Sequence, residues 1–188
     1  MAAESSLRNM ALCLTLVCLV CAGILGGVYA MTYDPIQKAN EKILKTSLGR
    51  VLPEGGELSD VRTAEAAGQT FEYYALSEGG VVKAYAVKSS AIGFGGRLEV
   101  MVGVLPDGTV YNTSVISHSE TPGLGAKCQT DEHFLGQFHG FPPQQTLKVT
   151  QDGGDVDAIT ASTITSRAYT LAVANAVALV QSFNEKED

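Results

Sequence analysis

From Asn9 to Tyr33 the chain carries no charged side chain, and Leu, Val, Ala, Cys, Ile and Gly dominate the run. About 25 residues wound as an α-helix rise roughly 37 Å, enough to cross a hydrocarbon layer of about 30 Å with some tilt. A cleaved secretory leader is the competing reading, and Val28-Tyr29-Ala30 could serve as its cleavage site. The apolar region of such a leader normally runs only about 7–15 residues, so a retained anchor is the favoured reading. The expected organisation is a short N-terminal tail over 1–8, a single transmembrane helix over 9–33 and one domain over 34–188.

Charge gives little guidance on orientation. Arg8 and Glu4 precede the span, and Asp34, Lys38, Glu41, Lys42 and Lys45 follow it, so neither flank is clearly the positive one. A short N-terminus is easiest to leave in the cytoplasm. That places the domain on the periplasmic or extracellular side of the inner (cytoplasmic) membrane.

Arg8 and Glu4 apart, 12 basic and 19 acidic residues lie in the domain, which therefore holds the whole net charge of −7. No basic stripe interrupts that acidity, so nucleic acid is excluded as a partner. Cys13, Cys18 and Cys21 lie in the apolar run and Cys128 alone in the domain, so the domain forms no internal disulfide. Cys18 and Cys21 share a helix face, but cysteine is an ordinary small apolar residue there. No metal site is assigned.

Residues 34–48 read as a helix continuing from the span, with Pro35 in a first-turn position and a stripe of Ile36, Ala39, Ile43 and Leu44. The acidic stretch to Gly68 reads as a loop with room for a short helix. Four strands follow from their Val, Tyr and Ile content: Phe71–Leu76, Val81–Lys88, Leu98–Leu105 and Thr109–Ser117. Pro106-Asp107-Gly108 joins the last two as a hairpin, because glycine supplies the positive φ of a tight turn. A short helical piece over Glu132–Phe138, a strand over Leu147–Thr150 and a long helix over Ile164–Phe183 complete the pass. The stripe of that last helix is Ala168, Leu171, Ala172, Val177, Leu179, Val180 and Phe183. The order predicts an α+β fold: an antiparallel sheet with flanking helices behind a single N-terminal transmembrane helix.

Chemistry concentrates in two segments. Thr160-Ala161-Ser162-Thr163 puts three hydroxyls on four small residues immediately before the long helix. Small side chains let a ligand approach the backbone, and free N–H groups with the helix dipole favour an anion there. A plain helix cap uses the same residue types, so the residues alone go no further than a phosphate site. The second segment, Glu120-Thr121-Pro122-Gly123-Leu124-Gly125, is a rigid loop with one apolar finger, Leu124. Gly93-Phe94-Gly95-Gly96 is a third glycine-rich turn, given little weight as a direct ligand contact.

Asp157-Ala-Ile-Thr160-Ala161-Ser162-Thr163 resembles the Asp-x-x-(Ser/Thr)-Gly-Ala-Thr motif of the FMN-binding domain family. Glu120–Gly125 is similar to that family's second hallmark, the loop that cradles the isoalloxazine ring. The resemblance implies that Thr163 carries FMN through a phosphodiester made by a flavin transferase from FAD. It also implies that Thr160, Ala161 and Ser162 surround the phosphate, while Glu120, Thr121, Leu124 and Gly125 meet the ring. Ala161 stands where glycine is usual and Ser162 where alanine is usual; both stay small, although alanine tolerates positive φ less well. His118 receives no role.

With its single anchor and its length, the chain resembles the G subunits of Rnf ion-translocating ferredoxin:NAD oxidoreductase complexes. That resemblance implies an electron relay with no catalysis of its own, partnered by other membrane and peripheral subunits and by lipid. One span without carboxylates or basic groups offers no path for an ion. The C subunit of sodium-translocating NADH:quinone reductase, a stand-alone anchored FMN carrier and a non-redox interaction domain are the alternatives.

Overall fold

The structure, a computed structural model, describes residues 7–66 and 68–184; the expected tail over 1–8 falls mostly outside these residues. Helix α1 runs Leu7–Val51. The chain divides into two compact units, one ending at Ile43 and the other beginning at Leu44.

In the first unit α1 is long and apolar enough to cross a membrane, and its apolar side chains are exposed. Its hydroxyls do not break that character. Thr15 Oγ1 donates to the Ala11 carbonyl at 2.8 Å and Thr32 Oγ1 to the Val28 carbonyl at 2.8 Å, so each is satisfied within the helix. Pro35 lies inside α1 rather than at a first turn, leaving the carbonyl four residues back without its amide partner. Ile36, Ala39 and Ile43 form no buried stripe; burial begins only around Leu44.

The second unit is built on a six-stranded antiparallel sheet. Its strands are β1 (Glu57–Leu58), β2 (Arg62–Ala66), β3 (Gln69–Glu78), β4 (Val81–Ile92), β5 (Arg97–Val104) and β6 (Val110–Ser117). The order is β1-β3-β4-β5-β6, with β2 also paired to β3. The four expected strands are present, with β3 and β4 longer than their apolar cores. The hairpin is as expected: Gly108 has φ 89° and its N–H donates to the Leu105 carbonyl at 2.9 Å. Asp107 Oδ1 tightens it by accepting the Thr109 N–H at 2.9 Å.

The region expected to be a loop before Gly68 instead supplies β1 and β2. Both lie along β3, and their side chains are mostly exposed. A strand with no buried face shows no apolar alternation, which is the signal by which strands are read. The expected strand at Leu147–Thr150 reduces to a single parallel bridge, Val149 to Val156, with a 3-10 turn at Thr150–Asp152.

Each face of the sheet packs on a helix. Helix α3 (Thr163–Asn184) covers one, burying Ala168, Tyr169, Ala172, Val173, Ala176, Val177 and Val180 against Val87, Leu98, Val100, Val102 and Val104. Leu171, expected in that stripe, is exposed on the same side of α3 as Ile164, seven residues earlier. The C-terminal end of α1 covers the other face, seating Leu48, Val51 and Leu52 on Leu76, Ala84, Ala86 and Met101. Gly103 permits this approach, since a Cβ there would strike the Val51 carbonyl oxygen. Helix α2 (Glu132–Gly136) is capped by Asp131, whose Oδ1 accepts the N–H of His133 at 3.1 Å and of Phe134 at 3.2 Å.

Candidate functional site

The two singled-out segments converge in space. A cavity of about 370 Å³ is lined by Phe94, by Glu120, Thr121, Leu124 and Gly125, and by Ala161 to Thr165. That size falls within the usual range for small-ligand sites, roughly 300–1,000 Å³. Of the eight residues singled out, seven line it. Thr160 does not; it is exposed on the turn before α3. Phe94, from the turn given little weight, does line it, and stands 70% exposed.

The α3 wall starts from a tied-down backbone. Gln137 reads both polar groups of the Asp157 backbone, accepting its N–H at 2.7 Å and donating to its carbonyl at 3.1 Å. Arg167 grips Asp152 through two bonds of 2.6 and 2.7 Å. The Ser166 hydroxyl closes the turn, accepting the Ile159 N–H at 2.9 Å and donating to the Ser162 carbonyl at 3.0 Å. Inside this frame Ala161 takes φ 60°, the one non-glycine residue with positive φ among the described residues. The cost for an L residue is roughly 1–2 kcal/mol, which explains why glycine is usual at this position of the motif.

Three features of that wall fit a phosphate-bearing ligand. Ser162 is 7% exposed, and its Oγ has no hydrogen-bond partner. A hydroxyl capping α3 would accept a helix N–H, so Ser162 does not act as that cap. The backbone N–H groups of Thr163, Ile164 and Thr165 find no acceptor among the described residues, as at any uncapped helix start. Thr163 opens α3 and is partly exposed in the cavity. Its neighbours are already engaged: the Thr165 hydroxyl donates to Glu120 and the Ser166 hydroxyl to the Ser162 carbonyl. Thr163 therefore offers the cavity a hydroxyl that no protein group claims.

The opposite wall is anchored by Glu120, which is 5% exposed. Its Oε1 accepts the Gly95 N–H at 3.2 Å and its Oε2 accepts the Thr165 hydroxyl at 2.7 Å. His118 Nδ1 accepts the Glu120 N–H at 3.2 Å, which leaves Nε2 to donate to Gln129 Oε1, also at 3.2 Å. His118 is thus committed to holding the loop. Beneath lies Cys128, fully buried, its thiol pushed up to about 11 by burial first and by the Glu120 charge second. Tyr169 is likewise raised by burial, and its hydroxyl donates to Thr113 Oγ1 at 2.7 Å, tying α3 to β6. Leu124, 46% exposed, and Phe94 give the cavity an apolar mouth suited to a flat ring.

Among the described residues, no cluster of His, Cys, Asp or Glu could hold a metal ion.

Known proteins give the site a context. A family model described as the FMN-binding domain matches residues 93–178, and one described as the RnfG N-terminal region matches residues 1–51. The G subunit of the proton-translocating ferredoxin:NAD(+) oxidoreductase complex of Clostridium ljungdahlii is 34% identical over 173 residues, covering 90% of this chain and 89% of that one. The G subunit of the ion-translocating oxidoreductase complex of Cereibacter sphaeroides is 35% identical over 175 residues, covering 88% of this chain and 80% of its own. In fold, the chain matches the crystal structure of the C subunit of Na(+)-translocating NADH-quinone reductase from Parabacteroides distasonis. The TM-score is 0.55 at 18% identity, covering 78% of this chain and 94% of that one. The expected family, α+β fold and FMN-binding domain all stand. This chain belongs to the family of G subunits of ion-translocating oxidoreductase complexes.

Proposed function

We propose that the chain is the electron-relay subunit of a membrane-bound ion-translocating ferredoxin:NAD oxidoreductase complex, and that its FMN is joined covalently to Thr163. The observation that carries the reading is the start of α3. There an unclaimed Thr163 hydroxyl, an unpartnered buried Ser162 Oγ and three free N–H groups line one cavity inside the matched FMN-binding domain.

Each residue has a task. The N–H groups of Thr163, Ile164 and Thr165, with the α3 dipole, neutralise phosphate charge. Ser162 Oγ donates to a phosphate oxygen and so gains its missing partner. Ala161 keeps its side chain small beside the ligand, while Leu124 and Phe94 cover an apolar ring. Thr121 supplies a polar contact at the rim. Thr160, being exposed, contacts the phosphate side of the ligand less than its place in the motif implies. Bound FMN supplies the capacity to take and give one or two electrons.

Attachment balances as a transfer from FAD. Thr163 Oγ forms the new P–O bond at the FMN phosphorus, the pyrophosphate P–O bond breaks, AMP leaves, and the threonine proton passes to a base of the flavin transferase. The tether keeps the flavin on a domain facing the periplasmic or extracellular side. Partners in this reading are the other membrane and peripheral subunits of the complex, the transferase during maturation, and lipid around α1. The relay has no substrate turnover of its own. A single span with no carboxylate or basic side chain between Asn9 and Tyr33 leaves ion movement to other subunits.

Intact mass tests the reading. The full chain, made together with the transferase, should be heavier than its sequence by about 438 Da, the mass of FMN less one water. Thr163→Val should lack the addition while melting within about 1 °C of the flavin-free parent, because the Thr163 hydroxyl holds no structure. A parent chain at its sequence mass would overturn the covalent assignment. A stand-alone carrier would purify without polytopic partners, whereas a member of the complex co-purifies with several.

A further inference from the structure

We propose that Glu120 is a positioning residue, one whose buried carboxylate locks the Gly93–Gly96 turn to the first turn of α3 and holds down the reduction potential of the flavin in this cavity. The proposal rests on the FMN reading above. It adds a role that neither family resemblance nor ring contact assigns.

The clamp is visible in its partners. Gly95 lies 25 residues before Glu120 and Thr165 lies 45 after it, and one carboxylate accepts from both. The two tethers hold together segments that no strand pairing joins: the turn bearing Phe94 and the helix start bearing Thr163.

The glycines of both loops bear out the same arrangement. A Cβ on Gly93 would strike Glu120 Oε1, and a Cβ on Gly125 would strike Glu120 Oε2 and meet Thr165 Oγ1 at 2.7 Å. A Cβ on Gly95 would strike the Ser119 carbonyl oxygen. The glycines at 93 and 125 therefore make room for the carboxylate.

Both oxygens of Glu120 are engaged, Oε1 by the Gly95 N–H and Oε2 by the Thr165 hydroxyl, contacts that suit a carboxylate. No Lys, Arg or His lies within ion-pair distance of it among the described residues. An uncompensated negative charge in a cavity wall acts through poorly screening surroundings. Reduction brings further negative charge into that cavity, so the carboxylate opposes it.

Glu120→Gln keeps the shape and an acceptor for Gly95 while removing the charge. In the full-length flavinylated chain, Glu120→Gln should keep the mass addition. The equilibrium with a redox dye should shift at least tenfold toward reduced flavin, about 30 mV for a two-electron couple. An unchanged midpoint in a flavin-bearing Glu120→Gln chain would overturn the electrostatic role.

The clamp has its own readout, hydrogen exchange at the Gly95 amide, which needs no flavin. Thr165→Val should speed that exchange at least tenfold and Thr165→Ser should restore it. Equal exchange rates in parent, Thr165→Val and Glu120→Ala would overturn the clamp. Should the parent chain carry no FMN, its mass reveals the failure of the underlying reading, and Gly95 exchange still decides whether Glu120 ties the loops together.

Discussion

The two walls of the cavity differ in how complete they are. On the Glu120 wall the groups that shape the loop are answered within the protein. Glu120 takes Gly95 and Thr165, and His118 holds the Glu120 N–H on one nitrogen and faces Gln129 with the other. On the α3 wall Ser162 Oγ has no partner, three N–H groups have no acceptor, and Ala161 sits at φ 60°. One wall is a finished scaffold, and the other holds unmet hydrogen bonds and backbone strain. Leaving a buried polar group unmet costs roughly 1–3 kcal/mol, a cost that a ligand bound in the cavity would relieve on the α3 wall.

Substitutions should therefore act in opposite directions on the two walls. The largest effect is expected on the scaffold. Gly125→Ala pushes a methyl group into the Glu120 carboxylate and the Thr165 hydroxyl. It should destabilise the domain by about 1–3 kcal/mol and lower its melting temperature by roughly 3–10 °C. A melting scan reads this directly, and an unshifted curve would mean that the loops part without cost.

Ser162→Ala, on the other wall, removes an unsatisfied hydroxyl. The flavin-free chain should become more stable, by up to about 1 kcal/mol, while the yield of flavin-bearing chain falls. Melting and the absorbance ratio of flavin to protein measure the two effects. Opposite signs support the contrast, and a loss of stability in the flavin-free chain would break it.

Cys128, packed beneath the Glu120 wall, gives that wall a pH signature. Its folded pKa is raised to about 11 from an ordinary 9.0, mainly by burial. The unfolded chain loses the thiol proton first, so this contribution to stability is complete below about pH 9 and is lost as the pH climbs towards 11. Cys128→Ala should flatten that alkaline decline in denaturant titrations. A decline of the same steepness in both proteins would place its origin elsewhere, with Tyr169 the next group to examine.

The smallest effect concerns backbone strain. Ala161→Gly relieves positive φ but adds freedom to the unfolded chain. The net gain should stay under about 1 kcal/mol, a rise of no more than a few degrees in melting. A fall in melting would show that Ala161 is not strained in solution.

Legibility in the sequence followed the physics of each signal. Strands β3 to β6 have buried alternate residues, such as Val100, Val102 and Val104, and so announce themselves. Strands β1 and β2 have almost no buried face and read as loop. In α3 the apolar pattern marked the helix to within a residue at each end, yet admitted Leu171, which the structure leaves exposed. Periodicity sees hydrophobicity and is blind to which apolar side chain finds a partner.

At the site, small residues and hydroxyls before a helix pointed to α3, and the motif resemblance picked Thr163 from among them. Glu120 was legible as a loop residue but not as a clamp, because its partners lie 25 and 45 residues away. Gln137 was missed altogether: its reading of the Asp157 backbone depends on α2 docking beside a loop twenty residues later. Phe94, an aromatic ring isolated between glycines, lines the cavity from the glycine-rich turn. Thr160 had the opposite fate, being exposed and outside the cavity lining.

The central claim is that one hydroxyl among several neighbours carries the flavin. Trypsin cleaving after Lys148 and Arg167 releases a single peptide, residues 149–167, holding Thr160, Ser162, Thr163, Thr165 and Ser166 together. Fragmentation of that peptide from the mature protein should place an addition of about 438 Da on Thr163 alone. An unmodified peptide, or an addition on any of its other hydroxyls, would contradict the account.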